Sequence, residues 1–142
     1  SAWTALDVAM GLLTRTASVR VAQGPAGSAT DMVVAEELLS GLSGASVTSA
    51  ATIPNRAIVL GVSTRTVTAI TGASSYDCGV TGTPNKFGGS LGIAAGSTNV
   101  GVIGPQAFYG ATPIVLTANG GSFTGGAVRI AIHYLLPFAP QS

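Results

Sequence analysis

Apolar and polar residues alternate with a period of two over most of this chain, the spacing of strands whose side chains point to opposite faces. The longest example runs from residue 58. Ile58, Leu60, Val62 and Thr64 fall on one side, Val59, Gly61, Ser63 and Arg65 on the other, and the pattern continues through Val67 to Ile70. The turn signal Pro54-Asn55 introduces it. Residues 16–21 alternate in the same way, with Ala17, Val19 and Val21 opposite Ser18 and Arg20, and shorter strands are predicted at 75–80 and 100–103. Residues 114–118 and 127–136 flank the Gly-rich run 119–126 and predict a hairpin. In its second arm Val128, Ile130, Ile132 and Tyr134 share a face opposite Arg129, Ala131, His133 and Leu135. Residues 82–99 read as loop-rich, with room for one short strand near 91–94. Six to eight strands at this spacing, joined by glycine-rich connections, predict an all-β fold: an antiparallel β-sandwich of jelly-roll type.

Two segments carry a different period. Residues 4–13 place Leu6, Met10 and Leu13 at spacings of four and three, a short helical stripe too brief to stand alone. It reads either as a helix bundled with partner chains or as a connecting arm, with Trp3 anchoring the arm on the next chain or lying in solvent. Residues 31–42 (DMVVAEELLSGL) suit a helix or a strand equally well. The Gly/Pro/Ser stretch 23–28 is the natural boundary, giving an arm or connecting segment over 1–30 and a sandwich domain over 31–142. A start at Ser1-Ala2-Trp3 reads as a piece of a longer protein, its C-terminal part.

Composition narrows the function. Of 142 residues only 11 are fully charged, six basic and five acidic, for a net charge of +1. Beyond Glu37 a single carboxylate remains, Asp77. Hydrolytic, metal-assisted and glycosidic chemistry each need ionisable groups brought together, so an enzyme, a metal centre and a cofactor are not expected. The basic residues are scattered, which argues against nucleic acid as a partner. No run of about 18 apolar residues is uninterrupted, so membrane insertion is not expected. Cys78 has no partner cysteine and reads as a small buried hydrophobe. Yet 46% of the residues are hydrophobic, more than a weakly charged monomer covers comfortably, and burial between copies of the chain is expected.

The remaining candidates are loop and strand-end residues. Residues 101–104 lack the Lys-Ser/Thr of a phosphate loop, and 120–126 follow no pattern that opens a helix, so both read as turns. His133, without a second histidine or a nearby carboxylate, reads as a buried or interface residue. Asp77 beside Tyr76, Asn85 and Lys86 beside Phe87, and Tyr109 beside Phe108 place an aromatic next to polar groups, which suits a sugar's hydroxyls and apolar faces. Asn119 at the Gly-rich connection joins them. Strand-end and turn roles explain the same residues.

Residues 53–62 (IPNRAIVLGV), 68–73 (TAITGA), 87–92 (FGGSLG), 113–123 (PIVLTANGGSF) and 126–130 (GAVRI) together resemble the C-terminal domain of an uncharacterised family of alphaproteobacterial prophages and gene transfer agents, whose members look like tail-fibre or head-spike proteins. The resemblance spans about residues 36 to 136. It implies a virion surface component, a homotrimer that sits among other virion proteins and attaches a phage-like particle to a bacterial surface glycan. It supplies no site residues. The alternative is a purely structural module that trimerises or caps a fibre and holds no ligand of its own.

Overall fold

Nine strands follow one another in the computed structural model, which describes residues 14–142, and no helix occurs among those residues. They are β1 (Thr14–Gln23), β2 (Ala29–Ser40), β3 (Ser46–Ile53), β4 (Ile58–Thr71), β5 (Ser75–Val80), β6 (Thr83–Leu91), β7 (Thr98–Ala107), β8 (Thr112–Asn119) and β9 (Gly125–Phe138). One sheet has the order β1-β2-β9-β4-β7 and the other β3-β8-β5-β6, with every pairing antiparallel. The predicted all-β sandwich is therefore present, and its chain crosses between sheets at most connections, as a jelly roll does. The predicted helical stripe at 4–13 lies outside the described residues.

Four sequence readings resolve in the structure. The ambiguous segment 31–42 is strand β2: Ala29, Val33, Ala35, Glu37 and Leu39 alternate into the core. Its helix formers yield to pairing with β1 on one side and β9 on the other. Strand β1 is an edge of the same sheet, and residues 24–28 form the turn between β1 and β2. Within β4 the alternation is not continuous, because a bulge between Val59 and Gly61 shifts the register. Val59, Val62, Thr64 and Thr66 all face inward as a result, while Ile58 and Leu60 face outward. The stretch expected to be loop over 82–99 contains strand β6, with Phe87 buried.

The predicted hairpin of 114–118 with 127–136 does not form. Strand β8 pairs with β3 and β5, β9 with β2 and β4, and the Gly-rich connection carries the chain from one sheet to the other. Gly120 and Gly121 adopt φ of 70° and 149° there, conformations open to glycine and costly to other residues. Phe123 plugs the end of the core, its backbone bridging to Gly44.

The core lies between the sheets. Its fully buried side chains include Ile53, Val59, Val62, Ile114, Leu116, Ile130 and Ile132. Polar groups within it are satisfied. The Tyr76 hydroxyl donates to Thr64 Oγ1 at 2.8 Å, and Thr66 Oγ1 donates to the Gly92 carbonyl at 2.8 Å. Glu37 accepts from the backbone N–H groups of Ala51 at 2.6 Å and Ala50 at 3.2 Å, while Ser49 Oγ accepts from Ile114 N–H at 2.8 Å and donates to the Ala51 carbonyl at 2.6 Å. These bonds hold an irregularity in β3, whose pairing with β8 is interrupted between Thr48 and Thr52. They also tie β2 to β3 along one side of the sandwich. On the other side Asn99 Nδ2 donates to the Phe87 carbonyl, joining β7 to β6. Close to it, the backbone of Gly101 packs directly on the carbonyls of Phe87 and Val62, leaving no room for a Cβ. At the end of β9, the guanidinium groups of Arg20 and Arg56 both lie over the Phe138 ring, 5.5 and 6.0 Å from its centroid.

Candidate functional site

A sandwich has two outer faces, and here their chemistry differs. On the four-stranded sheet, alternation turns Ser75 and Asp77 of β5 and Thr117 and Asn119 of β8 away from the core, because Tyr76, Cys78, Leu116 and Ala118 pack inward. Asp77 Oδ1 accepts from the Ser90 N–H at 2.9 Å and from Asn119 Nδ2 at 2.8 Å, and the same amide nitrogen approaches Ser75 Oγ at 3.1 Å. Ser90 stands at φ 55°, so the carboxylate holds a left-handed residue in β6. A side chain on Gly89 would touch both Asp77 and Asn85, which places Asn85 beside the same cluster. Lys86 follows on β6 and is half-buried.

The structure thus gathers Asp77, Asn85 and Asn119, with Lys86 next in the strand, but separates them from both aromatic candidates. The Tyr76 ring is 1% exposed and faces the core, since its strand parity is that of Cys78. Burial raises its hydroxyl pKa above the usual tyrosine value. It is no platform for a ligand. Tyr109 is 85% exposed in the turn before β8, whereas Asn119 closes that strand at the opposite end. Cys78 is a buried free thiol, pushed up to about 12 by burial.

The outer face of the five-stranded sheet is apolar instead. Its cross-strand rows read Val19, Met32, Leu135 and Ile58; then Ala17, Val34, His133, Gly61 and Val102; then Arg15, Glu36, Ala131, Ser63 and Val100; then Leu38, Arg129, Arg65 and Thr98. Val19, Val100 and Val102 are 68, 73 and 74% exposed, and Met32 is 49% exposed. Two shallow grooves cross this face and meet at Leu60 and His133, the first bounded by Val100 and Val102, the second by Val19 and Met32. Where they meet, Ser63 Oγ and His133 Nε2 share a hydrogen bond of 2.8 Å. At one end of the face Arg65 stands directly opposite Arg129. Neither forms an ion pair or side-chain hydrogen bond among the described residues.

Reading only one parity of each strand as apolar hid this face. The signal was that β7 and β9 are apolar on both parities, as Val100, Val102 and Leu135 record.

No family model matches the chain, and no curated protein matches it. Among solved structures, a chain of the cyanophage Pam1 capsid asymmetric unit superposes with a TM-score of 0.56 at 20% identity, over 84% of this chain and 94% of that one. The two share a fold. The overlap takes in nearly the whole of the neighbour's chain, so what the two share is the sandwich.

Proposed function

We propose that this chain is a structural component of a phage-like virion, a β-sandwich that takes its place in the particle through the apolar outer face of its five-stranded sheet and carries out no catalysis. The observation that carries this reading is that face: valines more than two-thirds exposed stand in adjacent rows on a sheet whose other side packs Val33, Val59, Val62, Ile130 and Ile132 into the core. Large contiguous apolar patches of this kind mark association surfaces. The likeness to a chain of a phage capsid supports the setting.

Attachment of the particle to a host glycan draws less support. The Asp77, Asn85 and Asn119 cluster lies apart from Tyr109 and from the inward-facing ring of Tyr76, and Asp77 Oδ1 already accepts two hydrogen bonds. The structural-module reading is therefore preferred to the receptor-binding one. Particles released by cells that encode the chain provide the test. Purified through a density gradient, they should contain the chain in fixed proportion to the main shell or tail protein. Absence of the chain from washed particles would refute the reading. If alanine at Asp77 and Asn85 abolished adsorption to host cells while leaving the chain in the particle, the receptor-binding reading would replace it.

A further inference from the structure

Arginines placed directly across an antiparallel pair repel one another, and Arg65 and Arg129 are held that way at one end of the apolar face, with no ion pair among the described residues. That end is where β1 begins. Thr14 pairs with Glu37, and the next row is Leu38, Arg129 and Arg65. Residues 1–13 therefore join the sheet beside the arginines. Their sequence, SAWTALDVAMGLL, is apolar at Trp3, Leu6, Val8, Met10, Leu12 and Leu13 and carries one charge, the carboxylate of Asp7. We propose that residues 1–13 dock on the outer face of their own five-stranded sheet, along its arginine end, with Asp7 meeting Arg65 and Arg129. This contact is independent of the virion reading above.

The reach is sufficient. Strands β1 and β9 lie two positions apart in the sheet, about 10 Å. Asp7 precedes Thr14 by seven residues, about 10 Å of chain at the helical rise that its sequence period suggests and up to about 24 Å when extended. Its carboxylate can meet Arg129 in either form. A second copy would also bring a carboxylate, since Glu36 is exposed on the same face one row from Arg129. Two magnitudes favour the segment. Five strands about 4.8 Å apart over roughly 20 Å give on the order of 500 Å² of face, short of the about 800 Å² per partner that a specific interface takes. A segment tethered at the border of the face also has an effective concentration in the millimolar range, roughly a thousandfold above a free copy at micromolar concentration. The rows of Val19, Met32 and Val102, farther from the arginines, stay open to neighbours in a particle.

The test uses the full chain, free of particles. Its single tryptophan is Trp3, inside the segment. Trp3 emission should be blue-shifted from that of tryptophan in water and poorly quenched by acrylamide, and both should persist through serial dilution. Arg65→Glu with Arg129→Glu keeps a like-charged cross-strand pair but repels Asp7, so the ratio of docked to free segment should fall about tenfold or more and the emission should move to the red. Asp7→Lys alone, a change outside the described sandwich, should release the segment in the same way. Combining Asp7→Lys with the two arginine reversals should restore the blue emission, a rescue that a merely structural role for the arginines would not give. Circular dichroism checks that each variant keeps its sheets. Water-like emission from the wild type would overturn the inference, as would burial that ignores both the arginine and the Asp7 substitutions, or a folded reversal variant that Asp7→Lys fails to rescue. Burial of Trp3 that comes and goes with an oligomer in sedimentation would overturn it too, by making another copy the occupant. None of these results bears on the virion reading, which stands or falls on the washed particles.

Discussion

Replacing Glu37 with Ala should destabilise the fold far more than a single carboxylate on a weakly charged chain suggests. The side chain is 7% exposed and reaches from β2 across the sandwich to Ala51 N–H at 2.6 Å and Ala50 N–H at 3.2 Å. Ala51 is buried, so its orphaned donor costs about 1–3 kcal/mol, near the upper end because the lost acceptor is charged. Ala50 is exposed and water can replace its partner, which adds only about 0.5 kcal/mol. A total of about 3 kcal/mol is a large part of the 5–15 kcal/mol typical of a domain. It corresponds to a fall in Tm of roughly 10 °C for a chain of this size. Glu37→Gln keeps one acceptor oxygen and should lose about half as much. Ser49→Ala removes the acceptor of Ile114 N–H and the donor to the Ala51 carbonyl at the same irregularity. The Glu37/Ser49 double variant should therefore fall short of additivity by at least about 0.5 kcal/mol. Urea unfolding followed by circular dichroism measures the wild type and all four variants. A Glu37→Ala midpoint within about 0.5 kcal/mol of wild type would refute the argument that this carboxylate holds β3 in place.

Four further outcomes follow from the same structure. Gly101→Ala should cost at least about 2 kcal/mol or prevent folding, because its Cβ meets the carbonyls of Phe87 and Val62; expression yield and Tm report it. Cys78 should resist thiol reagents in the folded protein and react once urea unfolds it. Because its folded pKa, about 12, lies above that of an unfolded thiol near 9, the unfolded state releases its proton first, and stability should be constant below pH ~8 and decline as pH rises past ~9. Tyr76→Phe should lose about 1 kcal/mol through the bond to Thr64 and leave any glycan adsorption unchanged, whereas reduced adsorption at unchanged stability would restore it as a site residue. Phe138→Ala should cost roughly 1–2 kcal/mol, since one ring serves both Arg20 and Arg56, with thermal melts as the check.

Local alternation made most of the strands legible in the sequence, since Val128, Ile130, Ile132 and Tyr134 face the core as their spacing requires. What spacing could not show was partnership. A Gly-rich link of a few residues between two β-patterned runs reads as a hairpin, yet β8 and β9 belong to different sheets, β8 pairing with β3 and β5 and β9 with β2 and β4. Bulges were equally hidden: an extra residue near Leu60 reverses the facing of the rest of β4. The candidate site failed on parity. Tyr76 and Asp77 are neighbours, so in a strand one must point in and the other out, and the core took the ring. Asp77, Asn85 and Asn119 did come together, through pairing of β5 with β6 and β8 that no motif announces. The apolar outer face was foreshadowed only as a surplus of hydrophobic composition, with no means of assigning it to one sheet.

The position of β9 has a consequence for how the chain is made. It is made after the other eight described strands and is the middle strand of its sheet, hydrogen-bonded to β2 on one side and β4 on the other. Until it arrives, β1 with β2 and β4 with β7 are two separate ribbons with open edges, facing a second sheet that has nothing complete to pack against. The domain cannot close progressively from its N-terminus during synthesis; it must wait, with its apolar rows uncovered, for its final residues to be threaded between strands made long before. Pairings so distant in sequence fold slowly, and unpaired edges are where chains aggregate. Loss of even the last 18 residues would therefore leave no smaller sandwich behind, only the two ribbons it was meant to join.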